Sequence, residues 1–80
     1  MKITKDFNGV KHSIEGVGHK DGYAYIIVDG YIEKKLKMYF RNERTWDDHM
    51  GNTYCGYYFN LKLNNCTRRI YASELRLFLI

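Results

Sequence analysis

The chain has no proline and only two cysteines among its 80 residues, and it has no apolar run long enough to cross a bilayer. Two cysteines are too few for the disulfide framework of a small secreted domain. A membrane-spanning helix needs about 18 consecutive apolar residues, and residues 1–9 lack a signal-peptide core. We therefore expect a soluble, cytoplasmic protein with reduced thiols and no membrane partner.

Aromatic rings and positive charge are present in excess. The chain has eight Tyr, four Phe and one Trp, and 13 Lys and Arg against nine Asp and Glu give a formal net charge of +4. This many aromatics excludes a disordered chain, and the basic balance excludes an acidic mimic of nucleic acid. Eighty residues are expected to form a single domain, residues 1–80, with a small core. The usage of Lys, Asn, Tyr and Ile without Pro is typical of AT-rich genomes and favours a phage protein.

Gly, Asn and Asp divide the chain into short β-rich runs, which predicts a mostly β fold. Strands are expected at residues 10–17, 23–28, 31–40, 54–63 and 66–71. One turn of 3₁₀-helix at 72–75 and a last short strand at 75–80 would follow. The segment 41–52 is polar and irregular, and Thr45 within it could cap one helical turn.

The chain before the last strand has the order strand, turn, strand, in the sequence Arg69-Ile70-Tyr71-Ala72-Ser73-Glu74-Leu75. It resembles the closure of SH3-like small β-barrels, and the meander order resembles their topology over most of the chain. The resemblance implies a single small five-stranded SH3-like barrel. An OB-like barrel and a curled antiparallel sheet with one short helix are the alternatives.

Asp29-Gly30 and Asn64-Asn65 predict two-residue type I′ turns, because these residues tolerate positive φ. The first turn would pair Val28 with Tyr31, and the second would pair Leu63 with Cys66. Alternation then assigns one side of each hairpin to the core. The core side of the first hairpin is Tyr23, Tyr25, Ile27, Ile32, Leu36, Met38 and Phe40. That of the second is Cys55, Tyr57, Phe59, Leu61, Leu63, Cys66 and Ile70.

The outer sides of both hairpins alternate aromatic rings with cations. Lys and Arg neutralise phosphates, and exposed Tyr rings stack on unpaired bases. We therefore predict a non-enzymatic nucleic-acid-binding module, with RNA preferred over DNA because no recognition helix is expected for a duplex major groove. A solvated face without a ligand is the alternative explanation. The predicted binding residues are Tyr31, Lys35, Lys37, Tyr39, Arg41, Tyr58, Lys62, Arg69 and Tyr71.

The segment 41–52 suggests a second function, because Trp and Arg dominate the hot spots of protein interfaces. In this alternative the chain is a small phage-type inhibitor that docks on a host protein, an anti-phage defence protein or a ribonucleoprotein. Trp46 could instead plug a barrel end. Exposed edge strands would permit a dimer, and the oligomeric state stays open. The candidate interface residues are Arg44, Trp46, Asp47, Asp48 and Met50.

Metal and catalytic sites have weaker support. The potential metal ligands are Cys55, Cys66, His12, His19 and His49. No zinc-type spacing connects them, so neither a metal nor another cofactor is expected. His49 beside Asp47 and Asp48 could act as a general base in a ribonuclease-like site. No nucleophile elbow or phosphate loop accompanies it, so we do not expect an enzyme.

We predict that Cys55 and Cys66 form no disulfide. The second hairpin places Cys66 beside Leu63, and roughly 25 Å of extended strand separates Leu63 from Cys55. A disulfide tolerates Cα atoms at most about 7 Å apart. Titration under denaturing, non-reducing conditions is expected to find both thiols free. Finding none would contradict the register and the reduced state.

Overall fold

The computed structural model describes residues 1–44 and 53–80, except for the side chains of 41–44 and 53–55. This part of the chain forms strands β1 (Lys2–Phe7), β2 (Val10–Lys20), β3 (Tyr23–Val28), β4 (Ile32–Lys37), β5 (Tyr39–Arg44), β6 (Thr53–Leu63) and β7 (Cys66–Tyr71). A 3₁₀-helix, Ala72–Leu75, follows β7. Within the described residues, no helix is long and apolar enough to cross a bilayer.

Tight turns with positive φ connect neighbouring strands of both sheets. Their central residues are Asn8-Gly9, Asp21-Gly22, Asp29-Gly30 and Asn64-Asn65. Asn, Asp and Gly adopt this conformation at low cost, and the resulting turn matches the twist of an antiparallel pair. The chain therefore folds as consecutive hairpins. They build a four-stranded sheet in the order β1-β2-β3-β4 and a three-stranded sheet in the order β5-β6-β7.

The prediction of a mostly β fold is confirmed, but the five-stranded closed barrel is not. The predicted run 31–40 is divided at Met38, where the chain passes from one sheet to the other. The Met38 amide donates a hydrogen bond to the Gly22 carbonyl (2.8 Å), which lies outside the strand ladders. In the described part of the chain, no backbone ladder joins the two sheets into a closed barrel.

The second hairpin has the predicted register. Leu63 lies opposite Cys66, and Tyr58 lies opposite Tyr71. Cys66 is a free thiol. The 3₁₀-helix also begins and ends where the sequence predicts. Its Glu74 carboxylate accepts a hydrogen bond from the Tyr71 amide (2.8 Å), which caps the short helix.

The predicted register of the first hairpin is wrong by one residue. The turn itself forms as expected, because Asp29 and Gly30 have positive φ and the Tyr31 amide donates to the Val28 carbonyl (3.2 Å). The loop, however, contains Tyr31 as a third residue, since the ladder pairs Val28 with Ile32. A shift of one residue turns every side chain of a strand to the other face. The side chains of β3 therefore face opposite to the prediction.

The core consequently contains the aliphatic side chains of β3. Ala24, Ile26 and Val28 are fully buried, and Tyr23 and Tyr25 belong to the outer face. Aliphatic side chains fill a small core without a hydroxyl group that needs a hydrogen-bond partner. Phe40 and Tyr57, also predicted to be buried, are about half exposed and pack against each other (5.1 Å between ring centroids). The buried core is Phe7, Ile14, Ala24, Ile26, Val28, Phe59, Leu61, Ile70 and Leu75.

Polar contacts join β1 to the chain around β7. Lys5 Nζ lies 2.8 Å from a Glu74 carboxylate oxygen, and Arg68 donates to the Asp6 carbonyl (3.0 Å). Burial raises the pKa of the Glu74 carboxyl, but the hydrogen bonds from Lys5 and from the Tyr71 amide outweigh it, so the net pKa is lowered. Side chains therefore connect these edges where no backbone ladder does.

His12 connects two turns across the sheets. Its Nε2 lies 2.9 Å from Asn64 Nδ2, which must donate, so the neutral ring carries its proton on Nδ1 and donates it to Asp29 Oδ2 (2.7 Å). The hydrogen bond from His12 lowers the pKa of the Asp29 carboxyl. Desolvation raises it, and the hydrogen bond from the Ser13 amide lowers it again, so the net pKa lies below its ordinary value.

The chain after the 3₁₀-helix lies along β2. The His19 amide donates to the Phe78 carbonyl (2.9 Å), and the Ile80 amide donates to the His19 carbonyl (3.0 Å). The predicted last strand is thus a single parallel bridge. Gly18 permits this close approach, because a Cβ there would lie 2.9 Å from Ile80 Cγ2 and 3.0 Å from the Phe78 carbonyl oxygen.

We expect Gly18→Ala to destabilise the fold by about 1–3 kcal/mol, because the added methyl group overpacks this contact. Urea unfolding followed by circular dichroism measures the loss. Gly56→Ala is the matched control, since a Cβ there would meet Tyr71 Cδ1 at an ordinary 3.8 Å. Equal stability of the two variants would contradict the close packing of residues 77–80 on β2.

We expect Asp29→Asn to make stability less sensitive to acid. A pKa lowered on folding means that the Asp29 carboxylate stabilises the fold above the unfolded-state value of about 4, and that this is lost as the pH falls through the folded pKa. The variant should be less stable than wild type near neutrality and lose less stability between about pH 5 and pH 3. Urea midpoints across this range test it, with the exposed Glu33→Gln as control. A slope unchanged from wild type would contradict the prediction.

Candidate nucleic-acid interface

The outer face of the three-stranded sheet carries three tyrosines in one line across its strands. The register pairs Tyr39 with Tyr58 and Tyr58 with Tyr71. The rings of Tyr39 and Tyr58 are stacked with centroids 5.7 Å apart, and Tyr71 meets Tyr58 edge to face at 5.8 Å. Aromatic pairs in these arrangements stabilise each other beyond their buried area. The three rings therefore support one another, and we call them the tyrosine row.

Two cations lie over the tyrosine row. The Arg69 guanidinium carbon is 4.3 Å from the centre of the Tyr58 ring, and Lys37 Nζ is 5.7 Å from that of Tyr39. Both distances fall within the range of a cation–π interaction. Tyr58 beneath Arg69 is partly buried, whereas Tyr39 stays 45% exposed. The cationic groups are thus held at the surface beside the rings.

A second cluster of tyrosine and lysine occupies the outer face of the four-stranded sheet. Lys35 Nζ lies 4.5 Å from the centre of the Tyr23 ring and 5.9 Å from that of Tyr25. The register pairs Tyr23 with Lys37 and Tyr25 with Lys35, so the four side chains share one face. The sequence prediction missed both tyrosines because the wrong register placed them in the core. A predicted loop of three residues, Asp29-Gly30-Tyr31, would have placed both tyrosines on the outer face.

The two clusters meet at the junction between the sheets. Lys37 and Tyr39 flank Met38, which packs against the core, so both project from the outer side. Lys37 lies opposite Tyr23, and Tyr23 lies opposite Lys20 on β2. The outer surface thus carries one continuous line of residues across six strands, which we call the cross-strand line. Its members are Lys20, Tyr23, Lys37, Tyr39, Tyr58 and Tyr71.

The structure brings together most of the predicted binding residues. Six of them lie on or beside the cross-strand line: Lys35, Lys37, Tyr39, Tyr58, Arg69 and Tyr71. Lys62 shares their face of β6 but lies four residues from Tyr58, or about 13 Å along the strand. Tyr31 is 77% exposed in the β3–β4 turn, about 20 Å along β4 from Lys37. Arg41 pairs with Gly56 through its backbone, and its side chain lies outside the described residues.

The acidic side chains of β2 and β4 on the outer face of the four-stranded sheet lie away from Lys37. Glu15 and Glu33 both lie opposite Ile27, on either side of it. Glu33 is about 13 Å along β4 from Lys37. This separation exceeds the Debye length of about 8 Å at physiological ionic strength, so these carboxylates hardly reduce the positive potential at Lys37.

The residues of the alternative docking function fall largely outside the described part of the chain. This is true of Trp46, Asp47, Asp48, Met50 and the candidate base His49. Arg44 is described only through its backbone pairing with Thr53. Docking on a protein and a ribonuclease-like site both stay predictions.

Potential metal ligands and one histidine–carboxylate pair also occur among the described side chains. In residues 1–40 and 56–80, no three His, Cys, Asp or Glu side chains are grouped so that they could hold a metal ion. His12 and Asp29 form a hydrogen-bonded pair of the kind that activates a nucleophile. Asn64 occupies the other ring nitrogen of His12, so this nitrogen is not available to accept a proton from a substrate.

The cross-strand line therefore combines the ring and the charge chemistry that single-stranded nucleic acids require. No family model matches the chain, and neither a curated protein nor a solved structure matches it significantly.

Proposed function

We propose that this protein is a non-enzymatic nucleic-acid-binding module that prefers RNA to DNA and binds along the cross-strand line. One observation carries the proposal: cations lie directly over tyrosine rings at three places on one continuous surface. The three contacts are Lys35 on Tyr23, Lys37 on Tyr39 and Arg69 on Tyr58.

Each component of this surface has a counterpart in a nucleic acid. A tyrosine ring stacks on any base, which contributes about 1–3 kcal/mol per base. A lysine or arginine that neutralises a phosphate releases condensed counterions. Because the rings and the cations already contact each other in the free protein, little side-chain entropy is lost when a ligand binds. The surface is therefore prepared for a ligand that alternates bases with phosphates.

The secondary structure supports an unpaired ligand. In the described part of the chain the only helix is the four-residue 3₁₀-helix, which is too short to enter a duplex major groove. Proteins recognise RNA mainly through unpaired loops and ends, whose bases are free to stack on aromatic side chains. An unpaired strand therefore fits the proposed surface better than a duplex.

We expect a labelled single-stranded RNA of about ten nucleotides, a length within the usual range of site sizes, to bind with an affinity that falls steeply with salt. Three neutralised phosphates, one for each cation of the three contacts, predict a slope of roughly −2 for log K against log salt. Fluorescence anisotropy between about 50 and 200 mM salt measures this slope. Arg69→Gln should reduce it by about 0.7.

The control for this measurement is Lys11→Gln. Lys11 is exposed on β2 opposite Asp6, away from the cross-strand line. Its substitution removes one positive charge, as Arg69→Gln does. Its slope should equal that of wild type. An RNA that does not bind at the lower salt concentration would overturn the proposed function.

A further inference from the structure

We infer that Tyr23 and Tyr39 are platforms for two neighbouring bases of an unpaired strand, with Lys37 between them on the connecting phosphate. This inference rests on the proposed function and narrows its ligand to a single-stranded dinucleotide step. The sequence prediction assigned Tyr23 to the core, whereas the observed register places it on the outer face.

The three rings of the tyrosine row do not offer equal surface to a base. Tyr58 lies between Tyr39 and Tyr71 and is covered by the Arg69 guanidinium at 4.3 Å. Tyr39 stands at the end of the row, contacts one ring and is 45% exposed. Tyr58 therefore positions Arg69 and supports Tyr39, whereas Tyr39 presents the more exposed ring.

The next ring along the cross-strand line beyond Tyr39 is Tyr23. It is 37% exposed on the outer face of β3, and Lys35 Nζ lies 4.5 Å from its centre. Lys37 lies opposite Tyr23 in the register, and its Nζ is 5.7 Å from the centre of the Tyr39 ring. Lys37 is thus next to both tyrosines, opposite Tyr23 in the ladder and over the Tyr39 ring, and Lys35 adds a second positive charge beside Tyr23.

The spacing of Tyr23 and Tyr39 along the sheets favours an unpaired strand. Facing residues of an antiparallel pair have Cα atoms about 5 Å apart, and two residues along a strand span about 6.6 Å. The backbone path from Tyr23 through Lys37 to Tyr39 is therefore about 12 Å long. Neighbouring bases in a duplex strand are only about 3.4 Å apart, so a stacked duplex cannot place two of them on these rings. A strand with splayed bases can, and its connecting phosphate then lies near Lys37.

Substitution of each ring tests the inference, with the same RNA of about ten nucleotides as the probe. Tyr23→Ala and Tyr39→Ala should each weaken binding by about 5-fold to 150-fold, as expected for the loss of one stacked base. Tyr57→Ala is the matched control, because Tyr57 is 54% exposed but lies on the opposite face of β6, and it should bind like wild type. Urea unfolding establishes that each variant is folded.

Conservative variants keep the test decisive if an alanine variant does not fold. Tyr23→Phe and Tyr39→Phe retain the ring and should bind within about twofold of wild type, since stacking needs the π-face only. Lys37→Gln should lower the salt slope by about 0.7, the contribution of one phosphate on a single strand. Weak binding by the Phe variants would assign the effect to the hydroxyl group and overturn the stacking role.

Three further outcomes separate the inference from the proposed function. Wild-type affinity in both alanine variants would overturn the inference and leave the proposed function standing. A duplex of the same sequence that binds as tightly as the single strand would have the same consequence. If wild type binds neither nucleic acid at low salt, the proposed function itself is wrong, and the inference falls with it.

Discussion

The pairing of β3 with β4 is the constraint on which the rest of the structure depends. The additional residue Tyr31 shifts this register by one, which turns Ile26 and Val28 into the core. The same shift turns Tyr23 and Tyr25 outward, to the face where the Lys35 ammonium lies within 6 Å of the centres of both rings. Burial of aliphatic side chains and exposure of a cation–aromatic surface are thus two results of one loop length. A domain of this size has few core positions, and side chains without polar groups fill them without leaving a buried hydrogen-bonding group unpaired.

The two hairpins show what the sequence can and cannot predict. In the second, Phe59, Leu61 and Leu63 alternate with polar residues, so hydrophobic alternation and turn chemistry select the same register. In the first, β3 reads Tyr-Ala-Tyr-Ile-Ile-Val, and either set of alternate positions could be buried. Hydrophobic alternation therefore does not show which face of β3 is buried, and the length of the loop after β3 determines it. An Asp-Gly turn forms equally well with or without an extra residue after it, which explains how the correct turn accompanied the wrong register.

The number of strands and the open architecture depend on long-range contacts that local patterns do not contain. Only Ile3 and Phe7 are large apolar residues in β1, so its alternation is weak, and its pairing with β2 depends on the Asn8-Gly9 turn. The change of sheet at Met38 is accompanied by a hydrogen bond to Gly22, sixteen positions earlier in the chain. Side chains, including the Lys5–Glu74 pair, connect the edges that a closed barrel would join by backbone hydrogen bonds.

The candidate site was largely predictable because its cations are on strands whose faces did not depend on the mistaken register. Lys35 and Lys37 project outward from β4 under either pairing, and Arg69 belongs to the correctly predicted hairpin. The register determines which rings these cations contact, and in the observed register Lys35 lies over Tyr23. A cation on a solvated strand needs no ligand to explain it, but a cation held over an exposed ring has lost part of its conformational freedom before any ligand arrives. Because these cations are already ordered over the rings, the surface favours a ligand more than its net charge alone would indicate.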